Sequence, residues 1–252
     1  MRAGAPAPDV MWVTGRHPVE ELLASSIQRP RSILIAAGAP EDIRKSVAAR
    51  ADAAGIPFVT VPNEEFARRT GERGGGIAAE IGDFRYAVFE EWLDGLPERA
   101  AAFLLDGITD PQNLGAILRS ARAFGIAGVV APKDRSCPVT AAVFRASAGG
   151  AAHVPVVRVA NLARAIGAMK ERRFWVFAAE AEGETALPDF RPPDRTAVVL
   201  GSEGGGIRRL VREKCDGGLR IPMEPFADSL NVSVAAGIVA YSLRNALTAC
   251  RK

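Results

Sequence analysis

The sequence predicts an α/β protein with a small first domain and a larger second one. Two observations predict this class. Short apolar runs that are typical of buried strands alternate along the chain with longer stretches of helical period. A charged segment, residues 84–98, contains Gly95 and Pro97 and separates a first series at 11–83 from a second at 99–252. The composition, 48% hydrophobic and 24% charged residues, fits two folded domains joined by a linker or a linking helix.

Local patterns place the elements of the first series. Residues 1–10, with Pro6 and Pro8, are expected to form a loose tail. Three stretches of helical pattern alternate with three apolar runs, which suffices for a small domain. The predicted helices are 17–23, 43–54 and 63–70, the last with Asn63 as its N-cap, and the predicted strands are 32–36, 57–61 and 77–81.

The second series continues the alternation with six strands and five helices. Its last helix carries small and apolar residues at helical spacing, namely Ala235, Ile238, Val239, Ser242 and Ala246. The predicted strands lie near 102–105, 127–131, 154–157, 174–179, 196–200 and 218–221. The predicted helices lie near 113–124, 139–147, 161–171, 207–213 and 232–249.

Cysteines, histidines and charge narrow the function classes. Cys137, Cys215 and Cys250 are odd in number and have no CxxC spacing, so neither a disulfide framework nor a zinc site is expected. His17 and His153 lack a ligand pattern, and no metal is expected. No signal peptide or span of about 18 apolar residues is present, so the expected location is the cytosol. The basic excess lies after residue 83, where 22 Lys and Arg stand against 18 Asp and Glu, and it gives weak support for a nucleic-acid partner.

Polar groups stand at element boundaries in three segments of the second series. Asn113 opens a predicted helix just after a buried strand, and it is expected to cap that helix, a role compatible with a further one in ligand contact. A glycine-rich stretch at 201–206 follows another strand; it could be a flexible turn or a loop that contacts a ligand. Ser229 and Asn231 precede the last helix and could be its N-cap. Ligands of open α/β sheets bind at the carboxyl ends of the strands, where these segments fall.

Together the three segments resemble the signature motifs of the SpoU (TrmH) family, the RNA ribose 2′-O-methyltransferases of the SPOUT superfamily. The resemblance covers 99–249, and the likeness is greatest to bacterial enzymes that methylate a guanosine of 23S ribosomal RNA. Residues 11–82 resemble the family's accessory RNA-binding domain, which is similar to certain ribosomal proteins. There the family's His-Gln-Gly turn is replaced by a glycine-rich turn at 73–76. The motifs are 106–125, 200–206 continuing to 221–223, and 229–235.

The resemblance implies a fold and a cofactor that local patterns do not reveal. It implies an α/β catalytic domain with a deep trefoil knot, an exception to the rule that chains avoid knots. S-adenosylmethionine would bind in the knot through the main chain of Gly201, Ile221 and Leu230. The family is homodimeric, with much of the last helix at the dimer face and an active site completed across the dimer.

The resemblance also assigns roles to side chains. Arg119 would activate the ribose hydroxyl, either as a base or, as we expect for a permanently charged guanidinium, by binding phosphate and stabilising the alkoxide. Glu203 would position Arg119 or the substrate. Transfer RNA is an alternative substrate, and a non-catalytic RNA-binding or assembly factor is an alternative function. The remaining candidates are Asn113, Ser229 and Asn231 for catalysis, and Lys133, Arg135 and Arg145 for RNA contact, although these three could equally be solvated surface residues.

Overall fold

The computed structural model describes residues 10–72, 76–224 and 229–249, and these form two compact units. The small unit contains the described residues up to 85 together with 139–153. The large unit contains 86–138 and the described residues from 154 onward. The predicted tail, apart from residue 10, and most of the glycine-rich turn at 73–76 lie outside the described residues.

The small unit is built on a four-stranded mixed sheet. In the strand order β1-β4-β2-β3, β4 is antiparallel to both of its neighbours, and β2 and β3 are parallel. The strands are β1 (Met11–Thr14), β2 (Ser32–Ala36), β3 (Phe58–Val61) and β4 (Ile77–Ile81). The helices are α1 (Arg16–Ala24), α2 (Glu41–Ala53) and α3 (Asn63–Thr70).

The predicted strands and helices of this unit are present, but the predicted cap of α3 is wrong. Asn63 is the first residue of α3, Pro62 precedes it, and no side chain caps the helix. The Asn63 side chain instead accepts a hydrogen bond from the amide of Gly38, at 2.9 Å, and so ties the start of α3 to the turn after β2. Sequence spacing did not predict β1, because its four residues directly follow the proline-containing tail and provide little pattern.

The large unit is a parallel sheet of seven strands, in the order β7-β6-β5-β10-β8-β11-β9. The strands are β5 (Ala100–Asp106), β6 (Val129–Pro132), β7 (Val156–Val159), β8 (Trp175–Ala179), β9 (Thr185–Ala186), β10 (Arg195–Gly201) and β11 (Gly217–Arg220). The helices after residue 85 are α4 (Phe89–Asp94), α5 (Pro111–Phe124), α6 (Ala141–Ala146), α7 (Leu162–Glu171), α8 (Arg209–Arg212) and α9 (Val232–Ala249), of which α6 belongs to the small unit.

The centre of this sheet explains why its strands consist of uninterrupted apolar runs. Every residue of β5 is buried, as expected for a parallel strand that is covered on both faces. The expected linker contributes to this core through α4, where Trp92 donates a hydrogen bond to the carbonyl of Ala127 at 3.1 Å. The register pairs Asp106 with Gly201, so the two central strands end side by side.

Helix α9 packs along α5. Most of the residues that it buries lie one position after a residue of the predicted stripe. Gly237 faces α5, where a Cβ would lie 3.4 Å from the hydroxyl of Ser120. Of the predicted stripe only Val239 is buried, while Ile238 is exposed. The helix is apolar around most of its circumference, so its pattern does not select a face. The buried residues are Val232, Ala236, Val239, Ala240 and Leu243.

Residues 139–153 are inserted in the second series but pack with the small unit. They form α6 and a short 3-10 helix, Gly150–Ala152. The buried ring of Phe144 meets that of Phe84 edge-on at 6.0 Å, and the hydroxyl of Ser25 donates to the carbonyl of Ala152. Periodicity predicts that a helix forms here, but it does not reveal which unit buries the helix.

Candidate active site

Helix α5 begins earlier than the sequence suggested, and this frees Asn113. Asp110 is the N-cap: its side chain accepts a hydrogen bond from the Asn113 amide at 3.0 Å, and Pro111 occupies the first turn. The prediction that Asn113 caps the helix is therefore wrong. Asn113 lies in the first turn, and its buried carboxamide points to groups outside the helix.

The glycine loop, residues 201–206, is a closed turn. Ser202 and Gly206 exchange two main-chain hydrogen bonds, of 3.1 and 3.0 Å. Gly204 and Gly206 have positive φ values of 76° and 59°, and a Cβ on Gly201 would lie 2.4 Å from the carbonyl carbon of Gly206. Glycine is needed at these positions because L side chains would clash or be strained. The turn thus presents Glu203 in a defined place.

Asn113, Glu203 and Asn231 meet in what we call the polar cluster. Glu203 Oε1 accepts hydrogen bonds from two side-chain amide nitrogens, Asn113 Nδ2 at 3.1 Å and Asn231 Nδ2 at 2.5 Å. Asn231 also donates to the Asn113 side-chain oxygen at 3.0 Å. The three residues come from the start of α5, the glycine loop and the start of α9.

Asn231 has two functions at once in this arrangement. Its side-chain oxygen accepts from the main-chain amide of Ser233 at 2.8 Å and from the Ser233 hydroxyl at 2.6 Å. The oxygen therefore caps α9, as the sequence suggested, while the nitrogen is directed at Glu203. Ser229 lies exposed two residues earlier, on the wall of the adjoining cleft.

A cleft of about 660 Å³ adjoins the polar cluster at the carboxyl edge of the sheet. Its wall comes from the segments after β8, β10 and β11 and from the start of α9, and it includes Gly201, Ile221 and Leu230. Among the described lining residues, the charged side chains are Glu180 and Glu203, and none is basic. The cleft therefore suits a ligand with an apolar body and positive charge better than one bearing phosphates.

Arg119 lies apart from the polar cluster. It is exposed on α5, six residues after Asn113, which is about 240° around the helix axis and about 9 Å along it. Within the part of the chain that the structure describes, Arg119 makes no hydrogen bond or ion pair. Of the two roles predicted for Glu203, contact with Arg119 or with the substrate, the first is not formed between the described residues of the chain, where Glu203 Oε1 binds the two asparagines.

The three predicted RNA contacts are distributed over both units. Lys133 and Arg135 are exposed in the loop after β6 in the large unit, whereas Arg145 lies on α6 of the small unit and pairs with Glu72 at 3.2 Å. Near Lys133, the Arg158 guanidinium donates to the Lys133 carbonyl and lies 5.3 Å from the ring centre of Tyr86.

Sequence reasoning did not identify the partner of Asp106. This buried carboxylate binds Arg208, just after the glycine loop, at 2.6 Å. A carboxylate that ends a buried strand requires hydrogen-bond donors or a counter-charge, but the fold decides which residue supplies them.

The environment of the described cysteines disfavours their thiolate forms, and Cys215 packs against the core of the large unit. Burial raises the pKa of Cys215 to about 11 and also raises the pKa of Cys137.

Within 10–72, 76–224 and 229–249, no three His, Cys, Asp or Glu side chains come together as a metal site. In the same ranges, no helix has the length and apolar character to cross a membrane.

A parallel sheet with a cleft and a polar cluster at its carboxyl edge defines a ligand-binding α/β domain. Residues 100–241 match the SpoU rRNA Methylase family, and residues 12–87 match the family of RNA 2′-O ribose methyltransferase substrate-binding domains. A protein of Mycobacterium avium, named as an uncharacterized tRNA/rRNA methyltransferase, is 43% identical over 90% of this chain and 74% of its own length. A Staphylococcus haemolyticus protein, named as a putative TrmH family tRNA/rRNA methyltransferase, is 38% identical over 92% of this chain and 94% of its own. The chain belongs to the SpoU (TrmH) family of RNA methyltransferases.

Solved structures show the same fold. The SpoU methyltransferase AviRb of Streptomyces viridochromogenes, crystallised with AdoMet, is similar with a TM-score of 0.80 and 21% identity, over 95% of this chain and 91% of its own. A putative TrmH family RNA methyltransferase of Porphyromonas gingivalis has a TM-score of 0.73 and 27% identity, over 94% of this chain and 90% of its own. These likenesses confirm the α/β class and the two-part architecture predicted from the sequence.

Proposed function

We propose that this protein transfers a methyl group from S-adenosylmethionine to a ribose 2′-hydroxyl of RNA. The observation that carries the proposal is the polar cluster, which unites three sequence motifs at the rim of a glycine-bounded cleft. Ribose as the methylated group is supported by the match of residues 12–87 to the substrate-binding family of 2′-O ribose methyltransferases.

The chemistry of the cleft fits S-adenosylmethionine. Its volume of about 660 Å³ lies in the usual range for small-molecule sites. The Glu203 carboxylate complements a sulfonium or an ammonium group, whereas Glu180 is already paired with Arg212 at 2.8 Å. A nucleotide phosphate would find no basic side chain in the described wall. The main chain at Gly201, Ile221 and Leu230 would hold the adenosine part. When bound, this cofactor supplies an electrophilic methyl group.

The polar cluster would orient the ribose. Glu203 Oε1 is engaged by both asparagines, while its Oε2 makes no hydrogen bond within the described residues. Oε2 can therefore accept a hydrogen bond from the substrate, and the Ser229 hydroxyl on the cleft wall can add a second contact. Holding the hydroxyl oxygen in line with the methyl group converts a bimolecular step into an effectively unimolecular one.

Arg119 would bind the neighbouring RNA phosphate and stabilise the developing alkoxide. Its place on another side of α5 from the cluster fits an active site that a second copy of the chain completes. The exposed face of α9, with Val234, Ile238 and Tyr241, is the surface that we propose for this homodimer. Lys133, Arg135 and Arg145 are proposed as phosphate contacts.

A guanosine of 23S ribosomal RNA is the proposed target, and transfer RNA is the second candidate. The relatives from Mycobacterium and Staphylococcus are named for both RNA classes, so the names favour neither. The small unit favours a large structured RNA, because it gives the chain a second surface for recognition.

Methylation of defined RNAs tests this proposal. The protein is incubated with labelled S-adenosylmethionine and either 23S ribosomal RNA or total transfer RNA, and the methylated nucleotide is mapped. The expected result is one 2′-O-methylguanosine in the ribosomal RNA, abolished in Glu203→Gln. Label in transfer RNA alone would transfer the assignment to the second candidate. Cofactor binding without label in either RNA would support a binding factor and contradict the enzyme.

A further inference from the structure

A buried ion pair joins the end of β5 to the segment after the glycine loop. The Asp106 side chain is fully buried, whereas the Arg208 side chain is 49% exposed. Asp106 Oδ1 accepts from Arg208 Nε at 2.7 Å and lies 2.6 Å from a second guanidinium nitrogen. Asp106 Oδ2 accepts from the main-chain amide of Arg208 at 2.8 Å. The carboxylate therefore fixes both the backbone and the side chain of one residue.

This pair holds the glycine loop at its C-terminal end. At the other end, strand register places Gly201 beside Asp106. The loop between them also packs on the chain after β5, since a Cβ on Gly107 would lie 3.3 Å from Cβ of Ser202. The position of Glu203 is consequently set by contacts at both ends of 201–208.

Ion pairs that bury a carboxylate are a weak source of stability. Burial of a carboxylate costs free energy that its ion pair offsets only with good geometry, and apolar residues of similar volume often serve folding as well. What the bonded pair provides is a fixed geometry for the loop. Neither Asp106 nor Arg208 lies on the described cleft wall, so their effect on the site is transmitted through the loop.

We infer that Asp106 and Arg208 are positioning residues for the methyl transfer. They act through the glycine loop, which carries Glu203 to the polar cluster and Gly201 to the cleft wall. The inference rests on the proposed function, and no direct contact of either residue with substrate is part of it.

Four variants of the full-length protein test this inference. Arg208→Met leaves the buried carboxylate without its counter-charge, Asp106→Asn removes the charge, and the double variant removes both. The matched control is Asp216→Asn, because Asp216 likewise binds a cation, Lys170 at 2.7 Å, and a main-chain amide, that of Val176 at 2.8 Å, at the amino ends of β8 and β11. We would measure the urea midpoint, kcat, the Kd for S-adenosylmethionine and hydrogen exchange of peptide 201–208.

The double variant separates positioning from folding. Arg208→Met should lower the urea midpoint, and the double variant should recover most of that loss because no unpaired charge remains. Its kcat should stay about 10²-fold below wild type, as for a misplaced catalytic group, with faster exchange in 201–208. Asp216→Asn should lower the midpoint without a loss of kcat.

Two results would overturn the inference. One is a double variant with wild-type kcat and wild-type exchange in 201–208. The other is a loss of kcat that follows the midpoint in all four variants, the control included. If the wild-type protein methylates no RNA, the proposed function fails, while hydrogen exchange still decides whether the pair holds the loop.

Discussion

Replacing Asn231 by serine separates its capping role from its role in the polar cluster. A serine side chain keeps an oxygen that can accept from the main-chain amide of Ser233, as the Asn231 oxygen does at 2.8 Å. It lacks the side-chain nitrogen with which Asn231 binds Glu203 at 2.5 Å. Asn231→Ala loses both functions. Loss of a cap costs about 1 kcal/mol, which lowers the melting temperature by roughly 2–4 °C in a chain of this size. Asn231→Ser should therefore melt close to wild type, and Asn231→Ala should not.

Methyl transfer should fall in both variants by about 10²-fold, because Glu203 loses its shortest hydrogen bond and shifts relative to the ribose. Thermal unfolding and turnover at saturating RNA measure the two effects. Asn161 supplies the matched control, since it caps α7 through a 3.0 Å bond from the Arg164 amide, so Asn161→Ala should lose stability alone. Wild-type turnover in Asn231→Ser would refute the assignment of the polar cluster to the reaction.

Three further outcomes are expected. Arg119→Ala should reduce methyl transfer by orders of magnitude with little change in the Kd for S-adenosylmethionine; near-normal turnover would remove Arg119 from the mechanism. Burial raises the pKa of Cys215 from 9.0 to about 11. The folded state holds the Cys215 proton more tightly than the unfolded state does, so the protonated thiol's contribution to the free energy of unfolding is complete below pH 9 and is lost between about pH 9 and 11. In Cys215→Ala the urea midpoint should therefore fall less steeply with pH over this interval. A fall as steep as in wild type would contradict the argument. Methylation of a short RNA that folds without magnesium should survive EDTA, since transfer from a sulfonium neutralises a positive charge and builds up no phosphoryl-type anion that requires a metal ion. Activity restored by one specific metal would contradict this.

Strong local patterns predicted the elements of this fold well. Ser32–Ala36 and Asn63–Thr70 have the predicted bounds, because an apolar run and a flanked helical period define them without tertiary help. The capping of α5 was assigned to Asn113 rather than Asp110, since both residue types favour that position and only the backbone decides between them.

Contacts between distant segments could not be predicted in the same way. The sequence motifs indicated that Asn113, Glu203 and Asn231 share a site, but not that the carboxylate binds both asparagines and leaves Arg119 outside. Those contacts depend on helix rotation and strand register. The trefoil knot and the homodimer stay predictions from the family resemblance.

The inserted segment 139–153 also determines when the protein can complete its folding. The small unit holds the chain up to residue 85, yet Val143 and Phe144 of this segment are fully buried in it. During synthesis, the first 85 residues therefore leave the ribosome with part of their core missing. They must wait while the first two strands of the large sheet, β5 and β6, are made before residues 139–153 emerge. The small unit is thus first in the sequence but cannot complete its core first, and during that delay it exposes the apolar surface that residues 139–153 later cover.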